Sequence, residues 1–173
     1  MVGGELVFRC LRCGRCCKDL LAEDKGVLRG LTLMPDERWL FPESKVRPAV
    51  GVGSSPSGRD FEVIAYQLTE DTCPRLNGNI CDVYTERPSS CRQFPFSLRL
   101  GTGGELLMGF DLNCSSIREL LGSLAEPKVR FEEREHAERL LRVEVEAMRK
   151  PDRAWYFDLG SKKWVKYSYL QKG

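Results

Sequence analysis

Four thiols fall within eight residues in Cys10-Leu11-Arg12-Cys13-Gly14-Arg15-Cys16-Cys17. A segment this short cannot hold its sulfurs apart with a folded core, so they share a partner. Thiolates share metal ions or pair as disulfides. Closing Cys10 on Cys13, or Cys16 on its neighbour Cys17, makes small rings that strain the preferred disulfide geometry, which favours metal. When C-x-x-C curls around an ion or cluster, two sulfurs lie on the concave side and intervening backbone N–H groups point toward them. Gly14 can take φ > 0 and let the backbone pass close by. The cations keep the same period, as Arg9-Cys10, Arg12-Cys13 and Arg15-Cys16 closed by Lys18. With the cysteines inward these cations fan outward, offset the negative charge of a thiolate centre and favour the thiolate forms.

A second group follows: Cys73, Cys81, Cys91 and Cys114. Asn77-Gly78 is a strong hairpin signal and predicts Cys73 and Cys81 lying symmetrically about Asn77. Arg87-Pro88 starts a helical turn with Cys91 one turn after Arg87, and Gln93-Phe94-Pro95-Phe96 follows as a rigid apolar plug. Cys114 precedes Ser115 and Ser116, good N-caps, so its sulfur sits at a positive helix end. The single histidine, His136, lies among Glu135 and Glu138 and is expected on a solvent-exposed helix face. The expected metal ligands are therefore Cys10, Cys13, Cys16, Cys17, Cys73, Cys81, Cys91 and Cys114, with a carboxylate as a secondary candidate. Hydrolytic zinc sites, which generally use histidine, fit poorly.

These ligands need a scaffold, and 173 residues at 42% hydrophobic suffice for one domain, a cysteine-cluster core at about 5–116 followed by a C-terminal segment at 117–173. A formal charge of +2 makes no strong demand for nucleic acid or membrane. No run of eighteen apolar residues and no long apolar N-terminal stretch is present, so the expectation is a cytoplasmic protein without a membrane role. In that compartment cysteines are better assigned to metal than to a disulfide framework, although an Arg- and Glu-rich composition leans toward thermophiles, where intracellular disulfides occur.

In chain order, the pattern predicts a short strand at Glu5–Arg9, a short helix within Lys18–Arg29 and another near 35–41. Gly51–Gly58 reads as a surface loop without the lysine or spacing of a phosphate cradle, and Phe61–Leu68 as a strand. Ser97–Leu100 and Glu105–Phe110 flank a glycine turn as a hairpin. Helices are expected at about Ile117–Leu124 and Phe131–Arg149, the latter turning Leu140, Leu141, Val145 and Met148 inward. Trp155-Tyr156-Phe157 and Trp164-Val165-Lys166-Tyr167 form an aromatic hairpin, whose rings are better spent covering the core than stacking on single-stranded nucleic acid. The fold class is α+β: a small irregular cysteine-rich domain with short hairpins, a C-terminal helix and the aromatic hairpin.

The ordered series resembles the zinc- or iron-chelating cysteine-cluster family named for C-x-x-C-x-x-C-C and called YkgJ-like. It is carried by Cys10, Cys13, Cys16 and Cys17, by Cys73-Pro74 with Gly78 and Cys81, by Tyr84, Arg87-Pro88, Cys91-Arg92 and Phe94-Pro95-Phe96, and by Cys114. The resemblance spans roughly residues 8–116. It implies metal binding with zinc or iron undecided, and a cluster-containing relative is a flagellin lysine N-methylase, although no S-adenosylmethionine loop is recognisable. The leading expectation is an iron–sulfur cluster used for electron transfer or redox sensing with an acidic or redox-active protein partner. Zinc is the rival cofactor, all-thiolate sites suiting both metals. A second class is a zinc-secured interaction module whose Arg9, Arg12, Arg15 and Lys18 dock an acidic protein or nucleic acid. A third is an enzyme, methylase-like or a thiol oxidoreductase. Eight cysteines are twice the four that one zinc uses, and adjacent Cys16 and Cys17 diverge, so more than one ion or a polynuclear cluster is expected.

Overall fold

Local turn chemistry decides the first elements of the computed structural model, which describes residues 6–8, 10–122, 129–130 and 132–170. Strand β1 (Leu6–Val7) enters the cysteine loop, which closes in a 3-10 turn over Arg15–Cys17. Glu5 and Arg9 lie outside the described residues. The helix expected within Lys18–Arg29 is instead a hairpin of β2 (Ala22–Asp24) and β3 (Val27–Arg29). Lys25 and Gly26 both take positive φ, 52° and 77°, the two-residue turn that matches strand twist. That Lys-Gly pair outweighs the helical spacing of the leucines. After β4 (Thr32–Leu33), the helix predicted near 35–41 is a 3-10 helix over Pro35–Leu40, with Pro35 in its first turn and Glu37 Oε2 accepting the Met34 N–H at 2.9 Å.

The chain then enters a five-stranded sheet. Strands β5 (Val46–Val52) and β6 (Glu62–Leu68) pair antiparallel, with register shifts around Pro48 and Val50, where proline supplies no N–H. β5 runs through Gly51 and Val52, so the irregular loop is shorter than the composition of Gly51–Gly58 predicts. The sheet is completed by late strands β12 (Ala154–Asp158) and β13 (Lys163–Lys166), in the order β13-β12-β5-β6-β4. Buried Gln67 ties it to its neighbours: its Nε2 donates to the carbonyls of Pro48 (2.8 Å) and Phe157 (2.9 Å), and its Oε1 accepts the Gly30 N–H (2.9 Å). The aromatic hairpin covers the sheet, with Trp164 edge-on to Phe61 and Phe157, and Tyr156 buried. Tyr167 belongs to the short α4 (Tyr167–Leu170) rather than to the strand.

The remaining elements build the cysteine side. They are β7 (Leu76–Asn77), β8 (Ile80–Cys81), α1 (Ser89–Gln93), β9 (Phe96–Leu100), β10 (Leu106–Phe110), α2 (Ser115–Gly122) and β11 (Val129–Arg130), which pairs in parallel with β1. Helix α3 (Arg134–Arg149) packs on the sheet through Val143 and Ala147, with Ala137 also buried, and not through the predicted stripe; Leu140, Leu141 and Val145 are half-buried and Met148 is exposed. Small residues win because Val143 and Ala147 meet Ala49, Val50, Ala65 and Ala154 in one cluster, letting helix and sheet approach closely. A second cluster joins Cys17 and Cys73 to Leu33, Leu40, Phe41, Val46 and Leu68, and a third joins Cys114 to Phe96 and Ile117. Among the described residues no helix is long and apolar enough to cross a membrane.

One surface carboxylate ties the β2–β3 hairpin to β12 of the sheet and gives a pH-dependent expectation. Asp158 accepts N–H groups from Leu28 (2.9 Å), Gly160 (3.0 Å) and Ser161 (3.0 Å). Hydrogen bonds from Ser161, with those from Leu28 and Gly160, hold its carboxyl down at about 2. A depressed folded-state value contributes stability above the ordinary carboxylate range, near pH 4, and that contribution is lost as the pH falls toward 2. Asp158→Asn should therefore be less stable than wild type at pH 6, with the gap in urea midpoint closing between pH 4 and 2. A gap that stays constant over that interval contradicts the assignment.

Candidate metal centre

The cysteine loop is shaped as its spacing requires. Gly14 takes φ 72° and Arg12 φ 54°, and the Arg12 N–H points at Cys10 Sγ (3.4 Å). The loop is fastened to the second cysteine group through the backbone, the Cys73 N–H donating to the Cys17 carbonyl at 2.8 Å. Gly14 also passes against the β7–β8 hairpin: a Cβ built there would lie 3.2 Å from Asn79 Cα and 3.3 Å from Leu76 Cδ1. Gly14→Ala meets both the left-handed backbone and this contact. It should destabilise by about 1–2 kcal/mol, read as a lower denaturant midpoint; an unchanged midpoint shows that the loop can move aside.

The hairpin carrying Cys81 has a different register from the predicted one. Leu76 faces Cys81 and Asn77 faces Ile80, so the turn residues are Gly78, at φ 62°, and Asn79. Cys73 stands before the ladder, in a turn whose carbonyl accepts the Leu76 N–H at 3.0 Å. The two cysteines are not symmetric about Asn77. They nevertheless face a common space, because the turn at Cys73 bends the chain back beside the hairpin. Cys114 lies at the N-terminal end of a helix, as predicted, but α2 begins at Ser115, earlier than expected, so the serines lie inside the helix and Cys114 itself caps it, its carbonyl accepting the Arg118 N–H at 3.2 Å.

All eight cysteines, Cys10, Cys13, Cys16, Cys17, Cys73, Cys81, Cys91 and Cys114, line one cavity of about 60 Å³. Its other walls include Phe8, Phe41, Val83, Tyr84, Arg87 and Phe94, with no histidine, aspartate or glutamate among the lining residues. Among the described residues no carboxylate stands there as the secondary ligand considered from the sequence. Every thiol is free of disulfide, Cys10 and Cys13 lying exposed and Cys17, Cys73 and Cys114 buried. Among the described residues no three of these side chains already stand at ion-holding spacing. The backbone thus gathers the donors around one space.

Charge is concentrated at the floor of this cavity. Cys17 hydrogen-bonds both Cys16 and Cys73, which holds Cys16 and Cys73 down at about 7 and pushes Cys17 far up. Arg87 favours the Cys16 thiolate and Arg75 that of Cys73, while burial pushes the Cys91 and Cys81 thiols up. Arg15 and Lys18 are exposed, as expected. Arg12 is exposed as well and also lies over the Tyr84 ring, 3.9 Å from its centroid, with Arg87 at 4.0 Å from the same ring. Spacing alone could not show this clamp, because Tyr84 belongs to a different segment.

The turn that presents Cys91 is anchored by buried polar groups. Glu37 Oε1 accepts the Ser89 N–H (2.8 Å) and the Ser89 hydroxyl (2.6 Å); Arg139 reaches Ser89 Oγ (3.3 Å), Glu37 (3.5 Å) and Asp36 (2.6 Å). His136 Nδ1 lies 3.1 Å from Ser89 Oγ. The single hydroxyl proton is given to Glu37, so Nδ1 carries the proton of that bond. His136 is thus half-buried rather than solvent-exposed, and burial, with Arg92 and Arg139 nearby, keeps it below its ordinary range. Its helical neighbours are charged, but its own position faces Ser89, which the local pattern does not reveal. The trio is not a hydrolase triad: the carboxylate holds the serine rather than the imidazole, and Ser89 is fully buried. Arg87 and Arg92 share Glu133 at 3.4 and 3.2 Å, fixing the same segment from outside.

Residues 9–119 match the CxxCxxCC family model, described as a putative zinc- or iron-chelating domain. The chain belongs to this family. Membership assigns metal binding of the zinc- or iron-chelating kind to the segment that also contains all eight cysteines. No curated protein and no solved structure matches the chain.

Proposed function

We propose that the eight cysteines hold an iron–sulfur centre used in electron transfer or redox sensing with a protein partner, in a reducing, cytoplasmic setting. The observation that carries this reading is the cavity lined by every thiol of the chain and, among the described residues, by no histidine, aspartate or glutamate. Its volume of about 60 Å³ exceeds the roughly 10–15 Å³ one water-sized occupant needs, which suits several atoms better than one ion. Soft thiolates suit iron–sulfur clusters, and such a cluster supplies one-electron chemistry when bound. The chain's own part is to exclude water with Phe8, Phe41 and Phe94, to balance thiolate charge with Arg87 and Arg75, and to fix Cys91 through Ser89.

One observation favours zinc as the second reading. The Cys73 N–H donates to the Cys17 carbonyl at 2.8 Å, which sets the Cys16–Cys17 turn beside the segment of Cys73 and Cys81 and gives four thiols, the number that a structural zinc takes.

Quantitative iron, sulfide and zinc analysis of anaerobically prepared protein separates the two readings. Iron with acid-labile sulfide, and its loss from both Cys16→Ser and Cys17→Ser, is the expected result. One zinc per chain with no sulfide, retained with unchanged affinity by Cys17→Ser, would falsify the polynuclear reading and leave Cys17 a small buried hydrophobe.

A further inference from the structure

Of the eight cysteines, Cys10 and Cys13 alone are exposed, so the N-terminal loop is where the cysteine cavity comes nearest to solvent. Leu11 stands between them, 61% exposed. Ile80, 69% exposed, follows Asn79, which lines the same cavity and abuts Gly14. Cations frame this opening. Arg12 and Arg15 are exposed and line the cavity, and exposed Lys18 comes directly after the turn over Arg15–Cys17. Among the described residues none of these three forms an ion pair. Asp19, Asp82 and Glu86, the nearest acids along the chain, do not line the cavity. Glu133 lies in the neighbouring groove past Tyr84, where Arg87 and Arg92 hold it.

We propose that this face docks an acidic redox protein, one that carries carboxylates around an apolar contact patch. The choice of a redox partner rests on the reading of the cysteines as an iron–sulfur centre, and the choice of an acidic one on the three cations without an ion pair. Protein interfaces set an apolar centre inside a polar rim, and opposite charges across that rim steer the encounter. Leu11 among Arg12, Arg15 and Lys18 has this composition. The deeper thiols do not need these three cations, because Arg87 and Arg75 already favour the Cys16 and Cys73 thiolates. Single-stranded nucleic acid fits less well, since its bases stack on open aromatic rings. The rings lining the cavity, Phe8, Phe41, Tyr84 and Phe94, are buried or half-buried.

Anaerobic isothermal titration calorimetry of the metal-loaded protein tests this, with an acidic plant-type ferredoxin as probe and basic cytochrome c as its opposite. Ferredoxin should bind, with a Kd that rises about 10-fold between about 20 mM and about 200 mM salt, and cytochrome c should not. Lys18→Glu should weaken ferredoxin binding about 5-fold, and the double variant with Arg15→Glu about 20-fold. Lys18 lies outside the cavity lining, so its variant keeps the test readable if Arg15→Glu disturbs the loop. Arg142→Glu with Arg149→Glu makes the same change in net charge at exposed positions of α3 and should shift Kd by less than about twofold. Four results overturn the proposal: no binding of ferredoxin; equal binding of cytochrome c; losses from the Lys18 and Arg15 variants no greater than from the α3 pair; or tighter binding of a thymine oligonucleotide. Heat reports docking without electron transfer. Docking by a protein that holds zinc without iron or sulfide therefore sinks the iron–sulfur reading alone, and iron with sulfide but no docking sinks this inference alone.

Discussion

Stripping the metal from the purified protein should unfold the cysteine half while the sheet keeps its protected amides. Structural zinc in small domains contributes about 10 kcal/mol or more of apparent folding energy, and a whole domain is stable by only about 5–15 kcal/mol. Loss of the metal is therefore the largest single perturbation expected. Its location follows from the three apolar clusters. Cys17 and Cys73 sit in one and Cys114 in another, whereas the cluster of Ala49, Val50, Ala65, Val143, Ala147, Ala154 and Tyr156 contains no cysteine. Without metal, Cys16 and Cys73, held down at about 7, bring like charges together at neutral pH where the centre would have neutralised them. The β7–β8 hairpin and α1 are short and lean on that centre. Hydrogen exchange after chelation should show residues 10–17 and 73–91 losing protection while β5, β6 and β12 retain theirs. An unchanged melting curve after verified metal removal contradicts a structural role for the ion.

Much of what gathers the cysteines around one cavity was legible because its signal is local. C-x-x-C-x-x-C-C constrains a curl, Gly14 must pass close to a neighbour, and Cys114 stands at a helix start, although the cap falls on Cys114 itself and not on the serines after it; each statement needs only adjacent residues. The hairpin register failed by the same logic. Asn77-Gly78 is a strong local turn signal, yet the turn sits at Gly78-Asn79, where Leu76 can face Cys81 while Gly78 supplies the positive φ. The five-stranded sheet was harder still, because β12 reaches β5 across about a hundred residues, with β13 following on its far side, and strand order depends on contacts that no local window contains. The stripe of α3 was misread for a related reason. Leucines outrank alanines in apolarity, but what faced the helix was a surface of Ala49, Ala65 and Ala154 that rewards close approach over bulk.

Replacing Glu37 should be the most damaging single change outside the cysteines. The side chain is 8% exposed and its Oε1 is the common acceptor for the Ser89 N–H, the Ser89 hydroxyl and, more distantly, Arg139. Glu37→Ala leaves a fully buried hydroxyl and backbone N–H without their acceptor and strips Arg139 of one of its two carboxylates, Asp36 being the other. Removing one member of a buried charged pair costs about 3–5 kcal/mol, and the exposed Asp36 partner places this case near the lower end. For a chain of this length that is a fall in Tm of about 10 °C. Glu37→Gln retains an oxygen for Ser89 but not the charge for Arg139, and should cost about 1–2 kcal/mol. Ser89 opens the turn that presents Cys91, so the alanine variant should also take up metal more slowly, whereas a generic loss of stability would leave uptake by the folded fraction unchanged. Thermal unfolding and uptake rates of the two variants measure both effects. If Glu37→Ala lies within about 0.5 kcal/mol of wild type, as surface substitutions do, the Ser89 turn is held by Arg87, Arg92 and Glu133 instead, and the buried network is not its anchor.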